Sequence, residues 1–309
     1  MKNSSRLWTC LLCLGTIFLV GAPLAADESP SYVPMAGYEL LSLESQDLHS
    51  ISVGGAILAR ESTFIGLYSY RFFNREPAPS YPERYHTLDM LYDAGPGRHQ
   101  IVTLLKSESD EPLYGGIETF QAAAVYGYEV LSRPNSSLAL GGGLAVADFG
   151  LDFPILPVPF IRLAHQSPLL DAGFDFITGP NLGVTLLPES HLQLRGDARM
   201  DQFRDIRDLI FEVALEYRFF ADGAPRDSFA GVSLGFKNDA LAYTVGQTGD
   251  EYEVQYNALF GEIDLGVLTV TGGYAFEGRE RYGENEIGQI GEGFFLTIQG
   301  LYMFAGEKR

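Results

Sequence analysis

Cysteine is nearly missing from this chain of 309 residues: Cys10 and Cys13 are the only two. Both lie in an apolar run near the N-terminus, so the rest of the chain has no thiolate ligand, no thiol nucleophile and no disulfide. Bases are scarce as well. Lys and Arg number 21 against 40 Asp and Glu, a formal net charge of -19. That balance excludes general binding to nucleic acid, which needs a basic footprint. No apolar run reaches the ~20 residues of a membrane-spanning helix, and no heptads or amphipathic helical period follow residue 30. What is abundant is apolar and aromatic: 46% of residues are hydrophobic, with 35 Gly, 21 Phe and 17 Tyr. A chain of that composition is too apolar to stay disordered.

The N-terminus has the marks of export. Lys2 and Arg6 precede the run Leu7 to Val20, and Gly21-Ala22-Pro23-Leu24-Ala25-Ala26 leads into the polar Asp27-Glu28-Ser29-Pro30. A basic start, a short apolar core and small residues before a polar stretch make a secretory signal peptide, here residues 1–26 with cleavage after Ala26. The run is too short to cross ~30 Å of hydrocarbon as an anchor. Neither cysteine follows a small residue at the cleavage site, which excludes a lipoprotein. Losing Lys2 and Arg6 leaves 19 bases against the 40 acids.

Beyond the signal peptide, period-two alternation recurs, the signature of strands with two unlike faces. Leu192, Leu194, Gly196, Ala198 and Met200 alternate with Gln193, Arg195, Asp197, Arg199 and Asp201. Phe211, Val213, Leu215, Tyr217 and Phe219 alternate with Glu212, Ala214, Glu216 and Arg218. Tyr252, Val254, Tyr256, Ala258 and Phe260 alternate with Glu251, Glu253, Gln255 and Asn257. Phe294, Leu296, Ile298, Tyr302 and Phe304 share a face opposite Thr297 and Gln299. Weaker copies run through Phe64–Phe72, Phe120–Val130 and Leu170–Phe176, and the Gly-rich Leu138–Val146 reads as a strand with a strong bend. Turn signals punctuate these runs at Gly95-Pro96-Gly97, Arg133-Pro134-Asn135, Gly179-Pro180-Asn181, Pro188-Glu189-Ser190, Asn238-Asp239 and Thr248-Gly249-Asp250. Asn74–Arg84, Asp152–Pro159 and Glu277–Glu292 read as longer loops. The mature chain divides into an N-terminal segment at 27–48, strands over 49–304 and a tail at 305–309.

Alternating strands build either a soluble sandwich or a membrane barrel. The strands here are about ten residues or longer, the length a tilted strand needs to cross a membrane. Aromatics fall toward strand ends, at Tyr126/Tyr128, Tyr217/Phe219, Tyr274/Phe276 and Tyr302/Phe304, where interfacial girdles lie. Together with export and the lack of cysteine, these favour an all-β fold: one transmembrane antiparallel β-barrel. Sixteen candidate strands between His49 and Phe304 would put the Pro-rich Asn74–Arg84 loop on the periplasmic side. Periplasmic turns are usually short, so the expected count is 12 to 14.

The signal peptide, the alternating strands and the final strand Phe294-Phe295-Leu296-Thr297-Ile298-Gln299-Gly300-Leu301-Tyr302-Met303-Phe304 resemble bacterial outer-membrane β-barrel proteins, with a porin-like architecture. In that class the last strand often ends in an aromatic, which implies recognition by the barrel-assembly machinery. This chain departs by carrying Ala305-Gly306-Glu307-Lys308-Arg309 after Phe304. The resemblance implies a place in the outer membrane, in contact with its lipid, as a monomer or homo-oligomer.

If the apolar faces meet lipid, the other faces line the lumen. Its expected charges are Arg71, Glu129, Asp171, Asp175, Arg195, Asp197, Arg199, Asp201, Glu212, Glu216, Arg218, Glu251 and Glu253. An open lumen with that acidic excess favours cations and neutral solutes. The alternative is a lumen plugged by pairs of Arg195, Arg199 and Arg218 with Asp197, Glu212 and Glu216.

Catalytic signals are weak. His165-Gln166-Ser167 resembles the His-x-Ser arrangement of outer-membrane lipid hydrolases, but Pro168 stands where those families carry Asn. Asp201, Asp205 and Asp208 are interleaved with Arg199, Arg204 and Arg207, and Glu284, Glu286 and Glu292 lie near Arg279 and Arg281, so neither group suggests a cation site. No His-Glu-x-x-His segment, phosphate loop or dinucleotide fingerprint occurs. The expectation is a barrel with no catalytic residue, metal or cofactor, which passes small hydrophilic solutes with a mild cation preference. The other reading is a non-conducting barrel for anchoring or loop-mediated adhesion.

Overall fold

The computed structural model describes residues 30–44, 46–74, 84–110, 119–147, 154–177, 179–200, 209–220, 229–244, 251–283 and 285–301. Sixteen strands account for nearly all of them. They are β1 (Ser31–Leu43), β2 (Gln46–Ala59), β3 (Ser62–Asn74), β4 (Arg84–Ala94), β5 (His99–Ser109), β6 (Phe120–Arg133), β7 (Ser136–Val146) and β8 (Ile155–Gln166). The second half comprises β9 (Leu170–Phe176), β10 (Pro180–Leu186), β11 (Leu192–Met200), β12 (Leu209–Phe220), β13 (Phe229–Thr244), β14 (Glu251–Asp264), β15 (Leu268–Tyr282) and β16 (Asn285–Leu301). Each strand pairs antiparallel with its sequence neighbours. β1 closes the ring on β16, with Met35 opposite Leu301 and Leu43 opposite Gly293. No described helix is long and apolar enough to cross a membrane.

The outer face explains why this sheet belongs in lipid. On β12, Val213, Leu215, Tyr217 and Phe219 are 43–52% exposed, whereas Ala214 and Glu216 between them are buried. Leu144, Leu234, Leu259 and Ile263 continue the exposed apolar band on neighbouring strands. Closure pairs each strand with both neighbours along most of the ring, as hydrocarbon requires. Aromatic and histidine side chains mark both edges of the band. Tyr38 Oη and His49 Nδ1 are 2.8 Å apart near one rim. His99 Nδ1 and Tyr126 Oη are 2.6 Å apart at the other, where His191 also stacks on Tyr217.

The barrel has sixteen strands, against the expected 12 to 14, and the difference begins at its first strand. Residues 31–43 form β1, inside the segment 27–48 that the sequence left outside the barrel. Pro34, Ala36 and Gly37 interrupt the hydropathy alternation there, so a strand whose faces alternate in space shows no clean pattern in the sequence. The extra strand changes the rim of the Pro-rich loop. Residues 75–83, which hold most of the Pro-rich loop and lie outside the described residues, now join β3 to β4 at the rim opposite the chain ends. The longer connections 111–118, 148–153, 201–208 and 245–250 fall at that same rim. Short turns dominate the rim of the chain ends, with 221–228 the exception.

Two other expected loops are strand. β15 and β16 leave only Gly283 and Glu284 between them, because the charges of Glu277–Glu292 face partners across the hairpin, such as Arg281 opposite Glu286. β8 starts at Ile155 and includes Pro157 and Pro159. It pairs with β9 only from Ile161 onward, so these prolines sit on an edge, where a missing N–H is tolerated. Asn238-Asp239, read as a turn, lies inside β13. The signal peptide, Thr248-Gly249-Asp250, Tyr302 and Phe304, and the tail 305–309 lie outside the described residues.

A round sixteen-stranded barrel would hold opposite walls about 30 Å apart. Here β5 and β13, with seven strands on either side, touch: Thr244 pairs in parallel with Ser109. The barrel is therefore pinched at the rim opposite the chain ends, and its lumen has two lobes. Such a shape needs sharp corners. At β6–β7, a Cβ on Gly141 would lie 1.9 Å from the Tyr126 carbonyl oxygen, and one on Gly143 2.0 Å from that of Ala124. Only glycine permits that approach.

Candidate functional site

The first lobe, bounded by β14–β16 and β1–β4, is packed. Leu41, Leu43, Leu48, Tyr85, Leu241, Tyr252, Val254, Tyr256, Ile290 and Phe295 form one buried cluster. Phe73 meets Tyr85 and Tyr252 edge to face, with centroids 5.6 and 6.1 Å apart. This reverses one expectation. The apolar face of β14 was assigned to lipid, yet Tyr252, Val254, Tyr256, Ala258 and Phe260 are all at most 4% exposed and face the interior. The reason is the pinch, which brings a second apolar wall within reach of that face.

The second lobe is charged. Strand register sets its side chains in rings around the wall. One ring carries Arg162, Asp175, Asn181, Arg199 and Ile210 on β8 to β12. The next carries Ala164, Gly173, Gly183, Asp197, Glu212, Lys237 and Ala258 on β8 to β14. Between them lies a cavity of about 710 Å³, lined by four carboxylates (Asp175, Asp197, Glu212, Asp239) and three cations (Arg162, Arg199, Lys237). The two glycines leave β9 and β10 bare, and a Cβ on Gly173 would meet nothing within 4 Å. A smaller cavity of about 390 Å³ sits toward the pinched rim and is lined from both lobes, by β1, β3, β4 and β14 as well as β5, β6 and β11–β13. It is lined by Glu39, Asp89, Glu108, Asp239, Glu251 and Glu253 against Arg71, Lys106 and Arg199. Arg199, Ile210 and Asp239 line both cavities, so the two are adjacent.

Ion pairs hold this lining in place. Arg195 Nη2 donates to Glu212 Oε1 at 2.6 Å and lies 3.9 Å from Glu262, while its Nε lies 3.6 Å from Asp197. Arg218 pairs with Glu216 at 2.7 Å, Arg281 with Glu253 at 2.9 Å, and Lys237 with Asp239 at 2.7 Å. Arg162 reaches across the lobe from β8 to Asp93 on β4 at 2.9 Å. Lys237 also stands 4.4 Å over the Phe295 ring, at the border of the two lobes. Replacing Arg195 with Met leaves three carboxylates without their shared cation. A loss of roughly 1–3 kcal/mol is expected, read as a lower urea midpoint of the folded form. Adding Glu212→Gln should restore part of it.

Of the residues expected to line the lumen, Asp175, Asp197, Arg199 and Glu212 meet at the larger cavity, and Arg71, Glu251 and Glu253 at the smaller one. Arg195 lies beneath, held by its carboxylates. Glu216 is buried with Arg218 toward the chain-end rim, away from both cavities. Asp171 pairs in register with Gln166 and Thr185 and borders neither cavity. Glu129 borders neither cavity, and Asp201 lies outside the described residues. Glu39, Asp89, Lys106, Glu108, Arg162, Lys237 and Asp239 are the charges that the sequence reading missed. Lys237 and Asp239 were legible: Gly231, Ser233, Gly235, Lys237 and Asp239 alternate with Val232, Leu234, Phe236 and Asn238.

His165 and Ser167 are not brought together. His165 Nδ1 lies 2.9 Å from Ser136 Oγ, and Ser167 Oγ bonds the Leu170 backbone. Among the described residues, no group of three His, Cys, Asp or Glu side chains is placed to hold a metal ion. Asp205, Asp208 and Glu284 lie outside the described residues.

No protein-family model matches this chain, and no curated protein matches it. Solved structures do. Acinetobacter baumannii OccAB3 matches at 9% identity and a TM-score of 0.38, over 91% of this chain and 100% of that one. OccD1 (OprD) matches at 10% identity and a TM-score of 0.40, over 90% and 96%. The outer membrane protein OpdK from Pseudomonas aeruginosa matches at 7% identity and a TM-score of 0.34, over 90% and 99%.

Proposed function

We propose that this chain is an outer-membrane channel that passes small hydrophilic solutes passively, with a mild preference for cations. One observation carries the reading: two adjacent charged cavities lie inside a barrel whose outer face is apolar. Charged side chains at that depth need water around them, since a basic residue against lipid costs about 2–4 kcal/mol at mid-depth. Sixteen strands also enclose more space than side chains fill. Carboxylates outnumber cations around both cavities, which raises the local cation concentration. In this reading the signal peptide directs export, the assembly machinery inserts the barrel and the chain-end rim faces the periplasm.

Planar-bilayer recording of the detergent-folded protein tests the proposal. Discrete steps that scale with bulk salt are expected. A folded but silent barrel would overturn it in favour of the non-conducting reading, whose support is the packed first lobe and the contact of β5 with β13. Selectivity has its own test. The combined variant Asp175→Asn, Asp197→Asn and Glu251→Gln should move the reversal potential under a salt gradient toward zero. An unchanged potential would remove these residues from the conducting path.

A further inference from the structure

The strands that bound the first lobe are longer than a membrane needs. About 9–11 tilted residues cross a bilayer, whereas β14, β15 and β16 have 14, 15 and 17, and β1 and β2 have 13 and 14. Side-chain polarity shows where the surplus stands. Toward the chain-end rim, Leu259 and Ile263 of β14, Tyr274 of β15 and Phe294 and Ile298 of β16 are exposed on the outer face. Glu262, Thr271 and Thr297 alternate with them on the inner face. Toward the other rim both faces change. The outer face continues as Gln255 and Asn257 on β14, Glu277 and Arg279 on β15, and Gln289 and Glu292 on β16. Asn257 Nδ2 donates to Glu277 Oε2 at 2.9 Å, and Arg281 Nη1 lies 2.9 Å from Glu253 Oε2. The inner face becomes apolar: Leu41, Leu43, Leu48, Tyr252, Val254 and Ile290 are at most 5% exposed and belong to one cluster.

A belt of rings marks the border. Tyr274 and Phe294 are register partners, and the Tyr274 hydroxyl donates to Glu292 just beyond them. Farther round the wall, His49 bonds Tyr38 and stacks on Phe72 with centroids 4.8 Å apart. Aromatic girdles lie where hydrocarbon ends. The ladder irregularities fall beyond the belt, between Gln255 and Asn257 and between Ala275 and Arg281. A bulge disrupts backbone pairing, which water tolerates and lipid does not.

We infer that the distal part of the first lobe is a cap that stands in water above the bilayer, sealed by its own apolar core, so that solutes enter the barrel only over the second lobe. The entrance rests on the channel reading; the cap does not. Polar outside and apolar inside is the arrangement of a β-sheet protein in water. Against hydrocarbon, Glu277 and Arg279 would lose their hydration with no compensation. The core side chains fill that end of the first lobe, whereas the larger cavity lies in the second. Solutes reach the first lobe from the side, through the smaller cavity that both lobes line.

The test uses single cysteines, since residues 27–309 contain none. A membrane-impermeant maleimide is applied to intact cells that display each variant. Gln289→Cys and Arg279→Cys should label at least tenfold faster than Leu259→Cys and Ile263→Cys. Equally slow labelling of all four, in intact and in permeabilised cells alike, would overturn the cap. Labelling of the distal pair only after the outer membrane is permeabilised would turn this rim to the periplasm and overturn an entrance from outside. Planar-bilayer recording then tests the path. A cationic methanethiosulfonate reagent should lower the conductance of Asp197→Cys at least twofold and leave that of Gln289→Cys within a tenth of its starting value. The reverse pattern would overturn the entrance. A parent protein that is silent would overturn the channel reading, while the labelling still decides the cap.

Discussion

Gly173→Trp is expected, on the channel reading, to cut single-channel conductance by roughly half or more, without loss of folding, because the indole projects into the larger cavity. The larger cavity measures about 710 Å³, and its β9–β10 wall is bare because Gly173 and Gly183 face each other in register. A Cβ on Gly173 meets nothing within 4 Å, so the new side chain fills lumen and leaves the backbone undisturbed. Gly143→Trp makes the contrast. Its Cβ would lie 2.0 Å from the Ala124 carbonyl oxygen, so that variant should fail to fold and lose its heat-modifiable mobility. Single-channel recording beside gel mobility checks both. A folded Gly173→Trp protein with parental conductance would place the solute path elsewhere.

Phe295→Ala should destabilise the barrel by about 3–5 kcal/mol, the usual result of deleting a fully buried aromatic side chain. Phe295 is 2% exposed, on the lumen face of β16 in the packed lobe. Its ring lies 6.4 Å from that of Tyr256 and beneath the Lys237 ammonium at 4.4 Å. Truncation therefore removes a cation–π partner as well as apolar contacts. The neighbouring Phe294 faces outward and is 55% exposed. Phe294→Ala changes the lipid face alone and should cost much less. The urea midpoints of the two variants, compared side by side, separate an apolar lumen from an apolar exterior. Equal costs would contradict the two-lobed interior.

The contrast between Phe294 and Phe295 also explains how much of this molecule was legible in its sequence. Alternation on β12 gave both the strand and its orientation, since Val213 and Leu215 face lipid and Glu212 and Glu216 face inward. On β14 the same kind of alternation gave the strand and reversed the orientation. A period of two states that the faces differ; which face turns inward depends on what packs against it. For Tyr252 and Tyr256 the partner is a distant wall, joined by the β5–β13 contact, which no local pattern announces. β1 was missed for the opposite reason: its surroundings were simple and its pattern broken by Pro34 and Gly37. Losing that one strand put the Asn74–Arg84 loop at the wrong rim. Among the lumen charges, Asp197 and Glu212 were found from their own strands, whereas Asp239 was lost to a turn reading that suits Asn-Asp in isolation.

The β1–β16 pairing has a consequence for biogenesis. These strands come from the two extremes of the chain, so the seam is the contact of greatest sequence separation and closes only after β16 has been synthesised. Until then β1 and the newest strand both present rows of unpaired N–H and C=O groups. Water tolerates those rows and hydrocarbon does not. A nascent or truncated chain is thus an open sheet with two adhesive edges, prone to join another copy. The last edge disappears only when β1 pairs with β16, Met35 opposite Leu301.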